Sequence, residues 1–183
     1  MTEAAALGLA LPSPAAALQA RFESIWRGPM ADVPLLNPAL AVQALGFRPW
    51  GEHWLGVLLT PWFMNLVLLP RLPERWRVIG ERESRHYVFP AGVFEFIGSH
   101  DPVLGDYQAC SLFSPMFEFA DQASAEATAL AAIEALFDAA HHAVAEVPPD
   151  DVPAACAAAP AAQLLSKRGF LFGTSAPAGD AGG

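Results

Sequence analysis

The spacing of apolar residues predicts a first helix over residues 14 to about 27. Leu18, Phe22 and Ile25 recur at helical spacing, and a Gly-Pro pair at residues 28–29 ends the run. Ser13 stands where a capping hydroxyl is preferred, and Pro14 falls in the first turn, where a missing N–H costs nothing. We therefore expect one side of this helix to lie on a core.

A second helix is predicted to begin near Asp121 or Ser124 and to end at about His141. The residues predicted to share its apolar side are Ala123, Ala127, Leu130, Ile133, Phe137 and Ala140. A helix with one apolar stripe normally packs that stripe on the rest of its domain. We therefore expect this helix to cover a sheet.

Five strand-like runs lie between the two predicted helices. They are rich in aromatic and branched residues and comprise residues 41–47, 54–59, 62–69, 85–97 and 106–113. Links of turn composition, at residues 49–52 and 98–102, favour antiparallel pairing because a parallel pair needs a long crossover. The sequence thus predicts an α+β fold, with an antiparallel or mixed sheet of about five strands and two main helices packed on it.

The longest uncharged stretch, residues 54–70, is either a membrane segment or part of the core. A bilayer-spanning helix needs roughly 20 apolar residues. Pro61 lies in the middle of this stretch, where it would remove a helical N–H and push Thr60 out of the α-helical region. We therefore interpret the stretch as two core strands that meet at Thr60-Pro61, and expect no integral membrane segment.

Composition divides the chain into two parts. Residues 1–147 are expected to form a single globular domain, and residues 148–183 a flexible tail rich in Ala, Pro and Gly. Within the tail, the basic and aromatic residues 166–173 are predicted to form a docking segment. The first residues contain Glu3 and no Lys or Arg, unlike a secretory signal, so we expect a cytoplasmic protein.

The formal net charge of −9 argues against binding to nucleic acid, which would need a basic face. The charge is also uneven, because no Lys or Arg occurs between Arg85 and Lys167 while eleven acids lie between Glu95 and Asp151. Two interpretations remain open. The acids either keep the protein in solution or form a surface that attracts a cationic partner.

No arrangement of reactive residues indicates an enzyme. The five histidines lack metal-ligand spacing, the two cysteines form no C-x-x-C pair, and Cys110 has no basic neighbour to lower its pKa. We therefore expect no catalytic residue, no cofactor and no metal. The alternative is a redox or enzymatic accessory factor that uses Cys110 with His86 or Glu95.

Residues 114–119 are predicted to form a loop between the last strand and the second helix. The loop contains Met116, Phe117 and Phe119 around Glu118. Apolar loops that contain Met can re-pack around varied peptides. This loop is therefore a candidate binding surface, although most aromatic residues of the chain are expected to fill the core.

Four blocks of the sequence resemble those of the HybE family (HupJ, HoxT), the assembly chaperones of nickel–iron hydrogenases. The blocks are LTPWFM at residues 59–64, FPAGVF at 89–94, CSLFSPM at 110–116 and KRGFLFG at 167–173. The resemblance extends over about residues 15–173. It implies a cytoplasmic protein that associates with the precursor of the hydrogenase small subunit, or with the large subunit, and delays export through the twin-arginine pathway.

The resemblance also implies a kind of ligand. A twin-arginine signal has a cationic start followed by an apolar segment. These would suit the acid-rich half and the aromatic loop of this chain. The alternative hypothesis is a chaperone that ignores the signal and contacts the folded subunit. Some family members are joined to a rubredoxin domain, but two cysteines cannot supply its four iron ligands, so redox protection would need a separate protein. The residues predicted to bind the partner are Trp62, Phe63, Met64, Phe89, Glu95, Met116, Phe117, Glu118, Phe119, Arg168 and Phe170.

Overall fold

The structure is a computed structural model that describes residues 11–139. In chain order its elements are helix α1 (Ala15–Arg27), strands β1 (Gln43–Trp50), β2 (His53–Leu59), β3 (Met64–Pro70), β4 (Ser84–Phe89), β5 (Gly92–Asp101) and β6 (Gly105–Phe113), and helix α2 (Gln122–Leu136). A short 3-10 helix, Pro73–Arg75, lies between β3 and β4. The α+β prediction is confirmed, with six strands in place of about five. The predictions for residues 148–183 lie outside the described residues.

All six strands form one antiparallel sheet in the order β1-β2-β3-β6-β5-β4. Strands β1 and β4 are therefore its two edges. The sheet curls until side chains of the two edges meet, since the rings of Trp50 and Phe89 stack with their centroids 4.3 Å apart. The curl gives the sheet a concave and a convex face.

Side chains of the central strands alternate between two separate cores. In β2, Leu55, Val57 and Leu59 pack with α2 on the concave face, whereas Leu58 packs on the convex face. Leu18 and Phe22 of α1 are buried in that convex core. The two helices thus cover opposite faces of the sheet, which is why β2 and β3 are apolar on both sides.

Helix α2 is capped at its N-terminus by Asp121, whose Oδ1 accepts a hydrogen bond of 2.7 Å from the Ser124 N–H. The residues that it buries against the sheet are Ala125, Ala129, Ala132, Ile133 and Leu136. The three alanines let the helix backbone approach the sheet closely. A bulge in β1 at Gly46 makes room for Ile133, since a Cβ on Gly46 would collide with that side chain.

The predicted apolar stripe of α2 was wrong at its start. Ala123, Ala127 and Leu130 face solvent, whereas Ile133 is buried and Phe137, just beyond the helix, packs on Phe89 with ring centroids 6.0 Å apart. Alanine fills most positions of this helix, so the sequence contained little information about its buried side. The remainder of the predicted helix, up to His141, lies beyond residue 139.

Several predicted boundaries also need correction. The single run 85–97 is two strands, because Pro90-Ala91 and Gly92, with φ of 137°, form a hairpin turn. Strand β1 extends through Trp50, and β3 begins only at Met64. At the start of α1, Pro14 occupies the cap position. Ser13 accepts only a long hydrogen bond, 3.5 Å, from the Ala15 N–H.

Helix α1 is hydrogen-bonded to two distant strands of the sheet, β5 and β1. Its Arg21 Nε donates to both carboxylate oxygens of Asp101, at 3.0 and 2.9 Å, at the end of β5. Its Gln19 accepts a hydrogen bond from the Ala44 N–H of β1. On the convex side of the other strands, Val88 and Ile97 remain 65% and 46% exposed. Within residues 11–139, no helix is long and apolar enough to cross a membrane.

Candidate partner-binding site

Two loops lie side by side where the centre of the sheet ends, at the start of β3 and the end of β6. Residues 61–63 lead into β3 and residues 114–119 follow β6, and the two strands are hydrogen-bonded neighbours. We call residues 61–63 and 114–119 together the paired-loop surface. Met64 pairs with Phe113 at the base of this surface.

Asn37 holds the two loops together. Its backbone N–H donates to the Pro61 carbonyl oxygen at 2.8 Å. Its side-chain Nδ2 donates to the carbonyl oxygens of Met116, at 3.0 Å, and Phe119, at 2.8 Å. Because Asn37 is only 6% exposed, these bonds are shielded from water and fix the spacing of the loops.

The turn at residues 61–63 is built around the buried hydroxyl of Thr60. This hydroxyl donates to the Phe63 carbonyl oxygen at 2.9 Å and accepts from the Phe63 N–H at 2.9 Å. The Thr60 N–H also donates to the Phe63 carbonyl oxygen. Thr60-Pro61 therefore separates β2 from β3, as the sequence predicted, and the turn is rigid because its polar groups are paired.

Trp62 and Phe63 project from this turn toward helix α1. The Phe63 ring lies edge-on to Phe22 of α1, with centroids 5.9 Å apart, and to Trp62 at 5.6 Å. Both side chains are half-buried. The rings thus have one side packed and one side within reach of solvent.

The loop at residues 114–119 has a buried and an exposed part. Met116 and Phe119 are 0% and 8% exposed, and the Phe119 ring packs on Phe113 at 5.1 Å. Between them, Phe117 is 57% exposed and Glu118 is exposed. The two buried side chains anchor the loop, so that an aromatic ring and a carboxylate are presented next to each other.

An open hollow of about 400 Å³ lies beside this loop. The residues that line it are Leu112, Phe113, Ser114, Pro115, Phe117 and Glu118. Its volume lies at the lower end of the range of about 300–1,000 Å³ that is typical of ligand sites. The hollow is large enough for one or two side chains of a peptide.

The other predicted binding residues lie in different places. Met64 and Phe89 are 0% and 2% exposed. Met64 lies in the core at the base of the surface, whereas Phe89 packs on Trp50 and Phe137. Glu95 is exposed on the convex side of β5, opposite His86 of β4 in the register. Arg168 and Phe170 lie outside the described residues. The assignment of these residues to partner binding stays a prediction.

The alternative site around Cys110 is not assembled. Cys110 is 6% exposed and belongs to the concave core, whereas His86 and Glu95 lie on the convex side. A thiol on one face of a sheet cannot reach groups on the other. Among residues 11–139, no group of three or more His, Cys, Asp or Glu side chains is placed to hold a metal ion.

The fold shifts the pKa values of several titratable groups outside the paired-loop surface, among them His53 and Asp101. Burial lowers the pKa of His53, whose ring lies against Trp50, Trp76 and Tyr87. Burial alone would raise the pKa of Asp101, but hydrogen bonds from two backbone N–H groups and from Arg21 outweigh it, and the pKa is lowered. Neither group faces the hollow, so both belong to the stability of the fold.

Asn37 is a part of this site that no sequence pattern predicted. Asn37 lies 79 and 82 residues from the carbonyl groups that it binds, so no local pattern could reveal the contact. The only available signal was a single polar residue between two prolines, Pro34 and Pro38, in an otherwise apolar loop. That composition is equally typical of an ordinary turn.

Comparison with known proteins gives one family. The family model described as "[NiFe]-hydrogenase assembly, chaperone, HybE" matches residues 13–173. Protein HoxT of Cupriavidus necator is 43% identical over 162 residues, which cover 79% of this chain and 79% of HoxT. The hydrogenase expression/formation protein HupJ of Bradyrhizobium diazoefficiens is 38% identical over 157 residues, which cover 86% of each chain.

Two further comparisons concern length and fold. The "Probable rubredoxin HupJ" of Rhodobacter capsulatus is 43% identical over 123 residues, which cover 67% of this chain but only 44% of that protein. The solution structure of HybE from Escherichia coli superimposes with a TM-score of 0.55 at 27% identity, over 82% of this chain and 90% of HybE.

Proposed function

Because the chain belongs to the HybE family of nickel–iron hydrogenase assembly chaperones, we propose that it binds the precursor of a hydrogenase small subunit through the paired-loop surface. In this proposal the bound part is the twin-arginine signal region of the precursor. The chain acts in the cytoplasm and by binding alone, without a catalytic residue. The precursor is exported only after its signal is released from this chain.

The observation that carries the proposal is the exposed Phe117-Glu118 pair beside the hollow. A signal with adjacent arginines followed by apolar residues needs both an acidic and an apolar contact. Glu118 offers a carboxylate to an arginine, Phe117 offers a ring face to a guanidinium, and the hollow offers space for an apolar side chain. These three contacts lie on one loop.

The charges of the chain support the same ligand. No Lys or Arg lies between Arg85 and Lys167, so the last strand, the loop and helix α2 carry only acids. An acidic surface raises the association rate of a cationic segment. Single exposed ion pairs contribute only about 0.2–1 kcal/mol, so the apolar contacts must supply most of the affinity.

The proposal is tested by titrating the purified full chain with the small-subunit precursor, with and without its signal, in a calorimeter. We expect binding that weakens at least tenfold when the signal is removed. Phe117→Ala should weaken binding of the complete precursor by about 1–2 kcal/mol, or roughly fivefold to thirtyfold. Glu118→Gln should weaken it by about 0.2–1 kcal/mol, or at most roughly fivefold, because it removes one exposed ion pair. Equal affinity for both forms of the precursor would overturn the proposal in favour of contact with the folded subunit.

Val103→Ala is the matched control for these variants. Val103 is 70% exposed and apolar like Phe117, but it precedes β6 whereas Phe117 follows it. A strand of nine residues separates the two sites by about 30 Å. The affinity of Val103→Ala for the precursor should equal that of the unchanged chain. An equal loss of affinity in Val103→Ala and Phe117→Ala would show that the paired-loop surface is not the site.

A further inference from the structure

The chain itself contains a segment with the chemistry of the proposed ligand. Residues 166–173 read SKRGFLFG, so that two adjacent basic residues, Lys167 and Arg168, are followed after one glycine by Phe170, Leu171 and Phe172. This is the order of cationic and apolar groups that the proposed function assigns to the signal. No other Lys or Arg follows Arg85 in the sequence.

We propose that residues 166–173 dock on the paired-loop surface of the same chain and occupy the place of the signal until a precursor displaces them. This inference rests on the proposed function, because the segment and the signal share one site. The contacts are Arg168 with Glu118 and Phe117, and Phe170 in the hollow.

The shared family pattern includes the segment. The family model matches residues 13–173, so its match ends at Gly173, the last residue of the segment, and leaves the following ten residues outside. Between the second helix and the segment, the chain is mostly Ala and Pro. The basic and aromatic segment at the end of such a stretch therefore lies within the part of the chain that the family model matches.

The length of the intervening chain permits the contact. The structure describes the chain up to Ala139, and 26 residues separate Ala139 from Ser166. A chain of that length reaches at most about 90 Å, several times the radius of gyration of about 14 Å of a domain this size. The segment can thus reach any point of the surface.

Attachment to the same chain makes a weak contact sufficient. A tethered segment is present at an effective concentration on the order of 1 mM. A contact with a dissociation constant of about 0.1 mM would then be occupied in roughly nine of ten molecules, and the apparent dissociation constant of the precursor would rise about tenfold. Weak ligands would therefore fail to displace the segment, whereas a ligand of high affinity would displace it.

The contact itself is tested by photo-cross-linking in the full chain. The photoreactive residue p-benzoylphenylalanine is placed at position 117, the dilute protein is irradiated, and cross-linked peptides are identified by mass spectrometry. We expect a cross-link to residues 166–173 within one chain. A cross-link to any other segment, or one found only between two copies, would overturn the inference.

Paired variants test which residues of the segment matter. Lys167→Gln with Arg168→Gln removes two positive charges, and Ala161→Glu with Ala162→Glu adds two negative charges, so both variants change the net charge from −9 to −11. Only the first should lose the cross-link. Loss of the cross-link in both, or in neither, would contradict a specific contact of the basic pair.

The same variants separate this inference from the proposed function. The probe is a fluorescein-labelled synthetic peptide with the sequence of the small-subunit signal. The Lys167→Gln, Arg168→Gln variant should bind the probe about tenfold more tightly than the unchanged chain. If all chains bind the probe equally and no cross-link forms, the inference fails and the proposed function stands. If the cross-link forms but no chain binds the probe, docking stands and the proposed function fails.

Discussion

The two halves of the sheet differ in how many of their faces are covered. In the half made of β1, β2 and β3, helix α1 packs on the convex face and α2 on the concave face. In the half made of β6, β5 and β4, the concave face is buried while Val88 and Ile97 on the convex face remain exposed. One half of the sheet thus has two covered faces, whereas the convex face of the other half is covered only in part, where Leu104 and Tyr107 pack on the core beneath helix α1.

This difference explains the two kinds of sequence pattern. Strand β2 buries five consecutive residues from Leu55 to Leu59, and β3 buries four in succession. Strand β4 instead alternates, with Tyr87 and Phe89 buried and Val88 exposed between them. Continuous apolar runs are typical of strands that are buried on both faces, and alternation is typical of strands that are buried on one.

The paired-loop surface lies where the two halves join. Strand β3 is the last strand of the fully covered half and β6 the first of the other. The loops at their shared end are therefore held by a rigid core on one side and open to solvent on the other. A binding surface needs both properties, since ordered loops lose less entropy when a ligand binds.

The largest difference between the halves should appear in stability. Leu66→Ala removes a side chain that is 0% exposed in β3, and it should lower the free energy of unfolding by about 2–5 kcal/mol because a cavity remains. Val88→Ala on β4, whose side chain is 65% exposed, should change it by less than about 0.5 kcal/mol. Urea unfolding followed by tryptophan fluorescence measures both. Similar losses would show that the convex face of β4 is covered in solution.

A smaller effect is expected at the junction of the halves. Asn37→Ala removes the side-chain donor of the Phe119 carbonyl oxygen and leaves the Met116 carbonyl oxygen with the Phe119 N–H, at 3.3 Å, as its donor. It should lower the free energy of unfolding by about 1–3 kcal/mol. The control is Asn65→Ala in β3, because the side-chain oxygen of Asn65 has no hydrogen-bond partner within the described part of the chain. This control should cost less than about 1 kcal/mol. Equal losses would show that Asn37 does not join the loops.

The sequence predicted those elements whose signal is local. Helix α1 and the core strands around Thr60-Pro61 followed from helical spacing and from the conformational limits of proline. The loop at residues 114–119 was predicted from its position between a strand and a helix. The uncharged stretch at residues 54–70 was correctly assigned to the core, because Pro61 excludes a continuous helix.

The parts that the sequence could not predict depend on contacts between distant residues. The buried side of α2 is set by close approach of alanines to the sheet, and alanine occupies both sides of this helix. The contacts of Asn37 join residues far apart in the chain. Burial of Met64 and Met116 beneath the candidate surface likewise depends on the pairing of β3 with β6. Local patterns contain none of this information.

The smallest effect concerns pH and the contact between the two edges of the sheet. His53 of β2 packs against Tyr87 of β4 with ring centroids 5.5 Å apart, and burial lowers its pKa below the ordinary value of 6.5. As the pH falls below 6.5, His53 takes up a proton in the unfolded chain but not in the folded chain. The free energy of unfolding should therefore decrease until the pH reaches the lowered pKa of His53 in the folded state.

His53→Gln should remove this loss while leaving the edge contact of Trp50 with Phe89 in place. The free energy of unfolding, measured from pH 8 to pH 5, should therefore fall less steeply in the variant than in the unchanged chain. His86→Gln is the control, because His86 is exposed on the convex side of β4. Equal slopes for His53→Gln and the unchanged chain would mean that His53 is solvated. The aromatic contact between the edges would then be looser than the stacked rings indicate, and the sheet would be less closed along its edges.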